Sequence, residues 1–273
     1  MQYQDLRDVQ RLIEQYHRID VDRAQRMWPG FRDYWGPEED FGMGFKQPQW
    51  VQDVHNAHQG RVFIFGTGPS LAQQLPLLVH MKEEETWTVN RMTRWKELPF
   101  VPTHHSITEP GPIDGWGSRI VPMYDFPKVM NRIAVHWFPV VAPGWLWCAK
   151  AVDDIQVRWE GAFGCGDYLP PLPSAWASPL TVSQLAAWMG FQEMFFLGID
   201  TTQEGQAWDV TRGRTTYKRS ILSILECADR LYHTFTKAGR KVYDCTPGGR
   251  INQEGIFPYV ELGDVLNGRA AQA

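Results

Sequence analysis

RVFIFGTGPSLAQQL, residues 61–75, is the stretch that decides the fold. The apolar run from Val62 to Phe65 reads as a buried strand. Gly66-Thr67-Gly68-Pro69-Ser70 breaks it, and the chain resumes as a helix that Pro76 is placed to kink. Two glycines allow tight backbone geometry and close approach. Pro69 suits the first helical position, where its missing N–H costs nothing. Thr67 and Ser70 add hydroxyls. With the helix dipole, such a turn is a ready anion site, and its functional reading is a cradle for phosphate. The plainer reading is a well-made strand-to-helix turn. It is not a Walker A loop, because no Gly-Lys-Ser/Thr follows, and Leu71 stands where a GxGxxG needs its third glycine.

Working outward, TWTVN (86–90), FVPTHHSIT (100–108), RIAVHWFPVV (132–141), QEMFFLGID (192–200) and RKVYDCT (240–246) read as strands. LTVSQLAAWMG (180–190) reads as a helix closed by Gly190. Residues 215–239 form the clearest helix, with an apolar stripe of Ile221, Ile224, Leu225, Ala228, Leu231, Tyr232 and Phe235, and Gly239 as its cap. This alternation predicts an α/β fold, a mainly parallel sheet with helices on both faces. Ligands of such sheets sit at the carboxyl ends of the strands. Asn90, Glu109-Pro110 and Asp200 close strands at that edge, beside the opening turn. Each alone reads as a cap; together they mark a site.

Residues 1–58 read as an N-terminal extension and 59–273 as the main domain. In the extension, Leu6, Val9, Leu12, Ile13 and Tyr16 keep helical spacing. An irregular stretch rich in Gly, Pro and aromatics follows, expected to fold over the main body or over a neighbouring subunit of a homo-oligomer.

With 43% apolar residues the chain has material for a real core, and a net charge of −4 shows no basic excess for nucleic acid. Cys148, Cys165, Cys227 and Cys245 are scattered, without a CxxC, and read as free thiols in a reducing compartment. The polar N-terminus is no signal peptide, and no apolar run approaches the ~18 residues of a membrane span. A soluble, cytoplasmic protein is expected. Among 13 tryptophans, Trp116, Trp176 and Trp208 lie in loop-like surroundings and are the pocket candidates for a ring-shaped ligand.

Gly66-Thr67-Gly68-Pro69-Ser70-Leu71, then Asn90, then PTHHSITEP ending in Glu109-Pro110, then SPLTVSQLAAWMGFQEMFFLGID from Ser178 to Asp200, resemble in order and spacing two related families. These are the bacterial CMP-sialic-acid-dependent sialyltransferases and the 6-hydroxymethylpterin diphosphokinase (MptE-like) domains. The tail AGRKVYDCTPGGRI resembles the second. The resemblance covers residues 61–262 and implies a Rossmann-like transferase. It implies a nucleotide bound by Gly66, Thr67, Gly68, Pro69, Ser70, Asn90, Glu109 and Ser178, with Asp200 beside them, and a CMP- or UDP-type nucleotide sugar as donor. Glu109 stands where the sialyltransferases carry Asn; an acid near phosphates implies a bound Mg²⁺ or a gripped ribose hydroxyl.

The catalytic pattern departs further. No histidine lies between 137 and 232, and Thr202 and Trp208 occupy the two tyrosine positions of the sialyltransferases. The segment WDVTRGRTTYKR offers instead Arg212, Arg214, Tyr217, Lys218 and Arg219 for a diphosphate leaving group, with Asp209 as a candidate base. His104 and His105 point to opposite faces of a strand. One is expected in packing, and the other, taken as His105, in the cleft as an acid/base group. Asp153-Asp154 reads as a loop or helix cap. The leading expectation is a nucleotide-sugar glycosyltransferase with an unidentified acceptor, a glycan or other hydroxyl ahead of nucleic acid. The alternatives are a Mg²⁺/ATP-dependent pterin-type diphosphokinase and a non-catalytic nucleotide-binding protein.

Overall fold

The computed structural model describes residues 49–108, 129, 131–136, 145–149, 177–201, 207 and 218–268. Seven strands among them form one parallel sheet: β1 Arg61–Phe65, β2 Thr86–Val89, β3 His104–Ile107, β4 Asn131–His136, β5 Trp145–Ala149, β6 Glu193–Leu197 and β7 Lys241–Asp244. Their spatial order is β5-β4-β3-β2-β1-β6-β7. The chain adds strands on one side of β1, then crosses to its other side with β6. The β1/β6 boundary is therefore the topological switch point of the sheet, where α/β folds open a crevice. β5 is not among the expected strands; its pairing with β4 reveals it.

The apolar run of β1 is explained by burial on both faces, as parallel strands require. Val62 and Ile64 enter one core with Trp87, Met194 and Phe196. Phe63 and Phe65 enter the other with Leu71, Phe195 and Leu197. The first core is covered by the Ser178–Met189 helix, buried from Pro179 through Met189. Beside it, against β7, lies the Lys218–Lys237 helix. Ile224, Ala228, Leu231 and Phe235 of that helix are buried, while Ile221, Leu225 and Tyr232 are half-buried. Burying a side chain of this size stabilises by roughly 1.5–3 kcal/mol. The second core is covered by the Ser70–Leu78 and Leu262–Leu266 helices.

Residues 49–58 of the expected extension pack on this body. Trp188 Nε1 donates to the Val51 carbonyl at 2.8 Å, and His55 stacks on Trp188 with ring centroids 3.8 Å apart. Gly190, with φ 106°, ends the 178–189 helix where a Cβ would lie 2.4 Å from the His58 carbonyl oxygen. Arg240 donates to the Ala187 and Phe191 carbonyls at 2.8 and 3.2 Å, taking up the end of the same helix. Residues 1–48 of the extension lie outside the described residues. Among the described residues no helix is long and apolar enough to cross a membrane.

Candidate functional site

At the carboxyl edge of the sheet the chain makes two different junctions. The first joins β1 to β6. Gly66 N–H donates to the Leu197 carbonyl at 2.7 Å and Gly68 N–H to the Gly198 carbonyl at 2.9 Å. A Cβ on Gly66 would lie 2.2 Å from the Gly198 oxygen, and one on Gly68 would lie 1.7 Å from Asp200 Oδ2. The protein's own neighbouring strand therefore demands both glycines. The Asp200 carboxylate accepts the Ser70 N–H at 3.1 Å and the Ser70 hydroxyl at 2.9 Å. Asp200 is thus the anion at the start of the 70–78 helix, a cap supplied from another strand. This revises the simplest picture of the turn: the Ser70 amide is already committed to a carboxylate. The Ala207 N–H donates to the Thr67 carbonyl at 3.0 Å, laying one residue of the 201–219 segment over the turn.

Backbone strain gathers behind this junction. Gly198 has φ 65° and Thr201 φ 51°, so Ile199 and Asp200 sit between two left-handed residues. For a β-branched residue such a φ is a real outlier, and such outliers concentrate at functional turns. The Ile199 N–H is held by Thr246 Oγ1 at 3.2 Å, and the Arg250 N–H donates to the Asp200 carbonyl at 3.3 Å. Asp244 ends β7 beside them, fully buried. Burial pushes its carboxyl up to about 6, against the Thr246 hydrogen bonds that favour its charged form, and the Asp200 charge adds to the rise.

The second junction joins β2 and β3 to the 178–189 helix. Asn90 follows β2 with φ 48°, a left-handed conformation that Asn tolerates better than most residues. Its Oδ1 accepts the Thr108 N–H at 2.8 Å. Its Nδ2 donates to Ser178 Oγ at 2.6 Å, and the Thr108 hydroxyl donates to the same oxygen at 2.5 Å. Three residues far apart in sequence meet as one hydrogen-bonded set. Asn90 and Ser178 were legible as candidates. Thr108 was not, since a lone Thr at a strand end carries no signal until its partners are known.

His105 is not at this edge. It is fully buried inside β3, its Nδ1 3.0 Å from the Thr88 hydroxyl and its ring against Trp145. Thr108 marks the carboxyl end three residues further on, about 10 Å away. The structure places His105 in packing within the strand and not in the cleft where it was expected. His104 does point to the opposite face, as alternation requires, and it is buried too. It stacks on Trp87, and Asn131 Nδ2, a donor, lies 3.1 Å from its Nδ1. This leaves Nε2 to carry the proton toward Glu85, 3.2 Å away. Burial holds His104 below the usual imidazole range, while the His104 hydrogen bond holds the Glu85 carboxyl below its usual value.

Glu109, Asp209, Tyr217, Arg212, Arg214, Asp153, Asp154, Trp116, Trp176 and Trp208 lie outside the described residues, as do the side chains of Lys218 and Arg219. No group of three or more His, Cys, Asp or Glu suited to a metal ion occurs among the described residues. Cys227 and Cys245 are free thiols.

No protein-family model matches the chain, and no curated protein does. Two solved structures do. The MAf glycosyltransferase from Magnetospirillum magneticum AMB-1 shares 14% identity at a TM-score of 0.50, over 77% of this chain and 35% of that one. This chain therefore spans about a third of that protein. The sialyltransferase CST-II, solved with a trisaccharide acceptor and CMP, shares 13% identity at a TM-score of 0.43, over 72% of this chain and 84% of that one. At such identities the first likeness defines a fold: the chain has the Rossmann-like α/β architecture found in a glycosyltransferase.

Proposed function

We propose that this protein is a nucleotide-sugar-dependent glycosyltransferase. The nucleotide lies along the carboxyl edge from β1 to β3, between the Gly66–Ser70 turn and the Asn90–Ser178 pair. The observation that carries the reading is the meeting of Asn90, Thr108 and Ser178 at the carboxyl ends of β2 and β3, with Asn90 held in a left-handed conformation. Polar side chains gathered at the carboxyl ends of parallel strands are what a nucleotide needs for orientation. The fold shared with a glycosyltransferase supports the same class.

Asn90 and Ser178 bind the nucleoside. The Gly66–Ser70 turn lines the phosphate end, its Ser70 held by Asp200 rather than free. Glu109 grips a ribose hydroxyl or a Mg²⁺ ion. Asp209, Tyr217 and Arg219 act on the leaving group and the acceptor hydroxyl. With His105 in the core, Asp209 is the remaining candidate base. The donor is of CMP or UDP type.

A thermal-shift screen of CMP, UDP, GDP, ADP and ATP, each with and without Mg²⁺, tests this. A ligand at a hundredfold excess over its Kd adds about 2.7 kcal/mol. A metal-independent shift with CMP or UDP is expected. A shift confined to ATP with Mg²⁺ would move the assignment to a diphosphokinase, and no shift with any of them would remove the nucleotide reading.

A further inference from the structure

We infer that Thr108 is a positioning residue that aims the amide of Asn90 and the hydroxyl of Ser178, so that the site offers hydrogen-bond donors to its ligand. The inference rests on the nucleotide reading and adds a residue to it. It begins with an obligatory donor. The Thr108 backbone N–H can only donate, so the Asn90 atom 2.8 Å from it must be Oδ1. The opposite amide orientation would set two donors against each other. The same Oδ1 also lies 3.4 Å from the Thr108 hydroxyl. Fixing Oδ1 inward fixes Nδ2 outward, toward Ser178 Oγ.

Ser178 Oγ then receives two donors, Asn90 Nδ2–H and the Thr108 hydroxyl. A hydroxyl oxygen has two lone pairs and one proton. With both lone pairs engaged, the proton must point away from both partners. Among the described residues nothing accepts it, and Ser178 is half-buried rather than sealed in the core. Among the described residues the second N–H of the Asn90 amide has no acceptor either. What Thr108 builds is a donor edge, complementary to adjacent acceptors such as phosphoryl oxygens, carbonyl oxygens or ring nitrogens. A hydroxyl residue, Thr or Ser, is needed because one residue must supply both a backbone donor and a hydroxyl donor at the end of β3.

The experiment uses the full chain, with CMP as the probe, in Thr108→Val, Thr108→Ser and Ser178→Ala variants. Val keeps the shape and the backbone N–H but loses the hydroxyl; Ser keeps both donors. The expected result is CMP binding weakened about tenfold in Thr108→Val and restored to within about twofold in Thr108→Ser. In the Ser178→Ala background, Thr108→Val should add nothing further, because Thr108 acts through Ser178; a merely structural role would add in full. A second readout needs no nucleotide. In protein labelled with ¹⁵N-asparagine, the Asn90 side-chain amide pair should be dispersed and protected in the wild type and in Thr108→Ser. It should shift in Thr108→Val, because Ser178 Oγ, without the Thr108 hydroxyl, no longer holds one position against Asn90 Nδ2, while the backbone N–H still holds Oδ1. Equal CMP affinity in wild type and Thr108→Val would overturn the inference. Failure of the wild type to bind CMP would count against the nucleotide reading alone. The Asn90 signal would then decide the inference: a change upholds it, and an unchanged signal in Thr108→Val overturns it.

Discussion

The two junctions at the carboxyl edge of the sheet differ in what satisfies them. At β1/β6 the protein satisfies itself: glycines admit the neighbouring backbone, and the Asp200 carboxylate takes the amide and hydroxyl of Ser70. At β2/β3 the side chains of Asn90 and Ser178 meet the hydroxyl and backbone N–H of Thr108, and among the described residues donors are left over. The glycine-rich turn, the more conspicuous of the two in sequence, is the more structural in space. A turn that looks like a phosphate cradle can be required by the adjacent strand before any ligand is considered.

The largest effect should come from filling the first junction. Gly68→Ala places a Cβ 1.7 Å from Asp200 Oδ2, and we expect a loss of about 3 kcal/mol or more without any nucleotide present. Urea denaturation reads it, and wild-type stability in this variant would break the distinction between the junctions.

The next effect is a pH dependence behind the same junction. Folded Asp244 keeps its proton up to about 6, against 3.8 for an ordinary Asp. The unfolded chain releases that proton first, so the fold loses stability as pH rises between these values. A shift of this size corresponds to roughly 3 kcal/mol at most. Asp244→Asn should lack this loss, so the wild type should fall relative to the variant between about pH 4 and 6. Parallel curves for the two proteins would contradict the buried acid. His104 and Glu85, at the other end of the sheet, have the opposite sign. Both are held low, so their contribution is lost as pH falls, below the ordinary 6.5 of His104 and then the 4.5 of Glu85.

A smaller loss, about 1–2 kcal/mol, is expected for Asp200→Ala, which removes the cap of the 70–78 helix. The smallest sharpens the second junction. Asn90→Gly accepts a positive φ and Asn90→Ala does not, so Gly should be the more stable variant by about 1 kcal/mol. Both lack the amide, so neither should respond to nucleotide. Equal stability of the two would deny that the left-handed conformation matters.

Much of the fold was legible because burial on both faces of a parallel strand leaves a continuous apolar run, as in β1 and β6. The 218–237 helix announced itself by its stripe. β5 went unread although Pro143-Gly144 marks its start, because so short an apolar run is defined as a strand only by its pairing with β4. Asn90 and Asp200 stood out as polar groups at strand ends, and Ser178 through the family resemblance. His105 misled because its chemistry is conspicuous while its depth in the strand is set by register, which pairs it with Thr88 and Arg132. Thr108 and the cross-strand cap by Asp200 are tertiary facts, invisible until segments 70 and 130 residues apart are brought together.

The central claim is that the ligand is read at the second junction and not at the first. The most direct test is isothermal titration of CMP into the wild type and Ser178→Ala, each with its unfolding midpoint measured without ligand. The account predicts binding to the wild type without added metal, a loss of affinity of about tenfold or more in the variant, and little change in the unliganded midpoint. Undiminished binding by Ser178→Ala would contradict it.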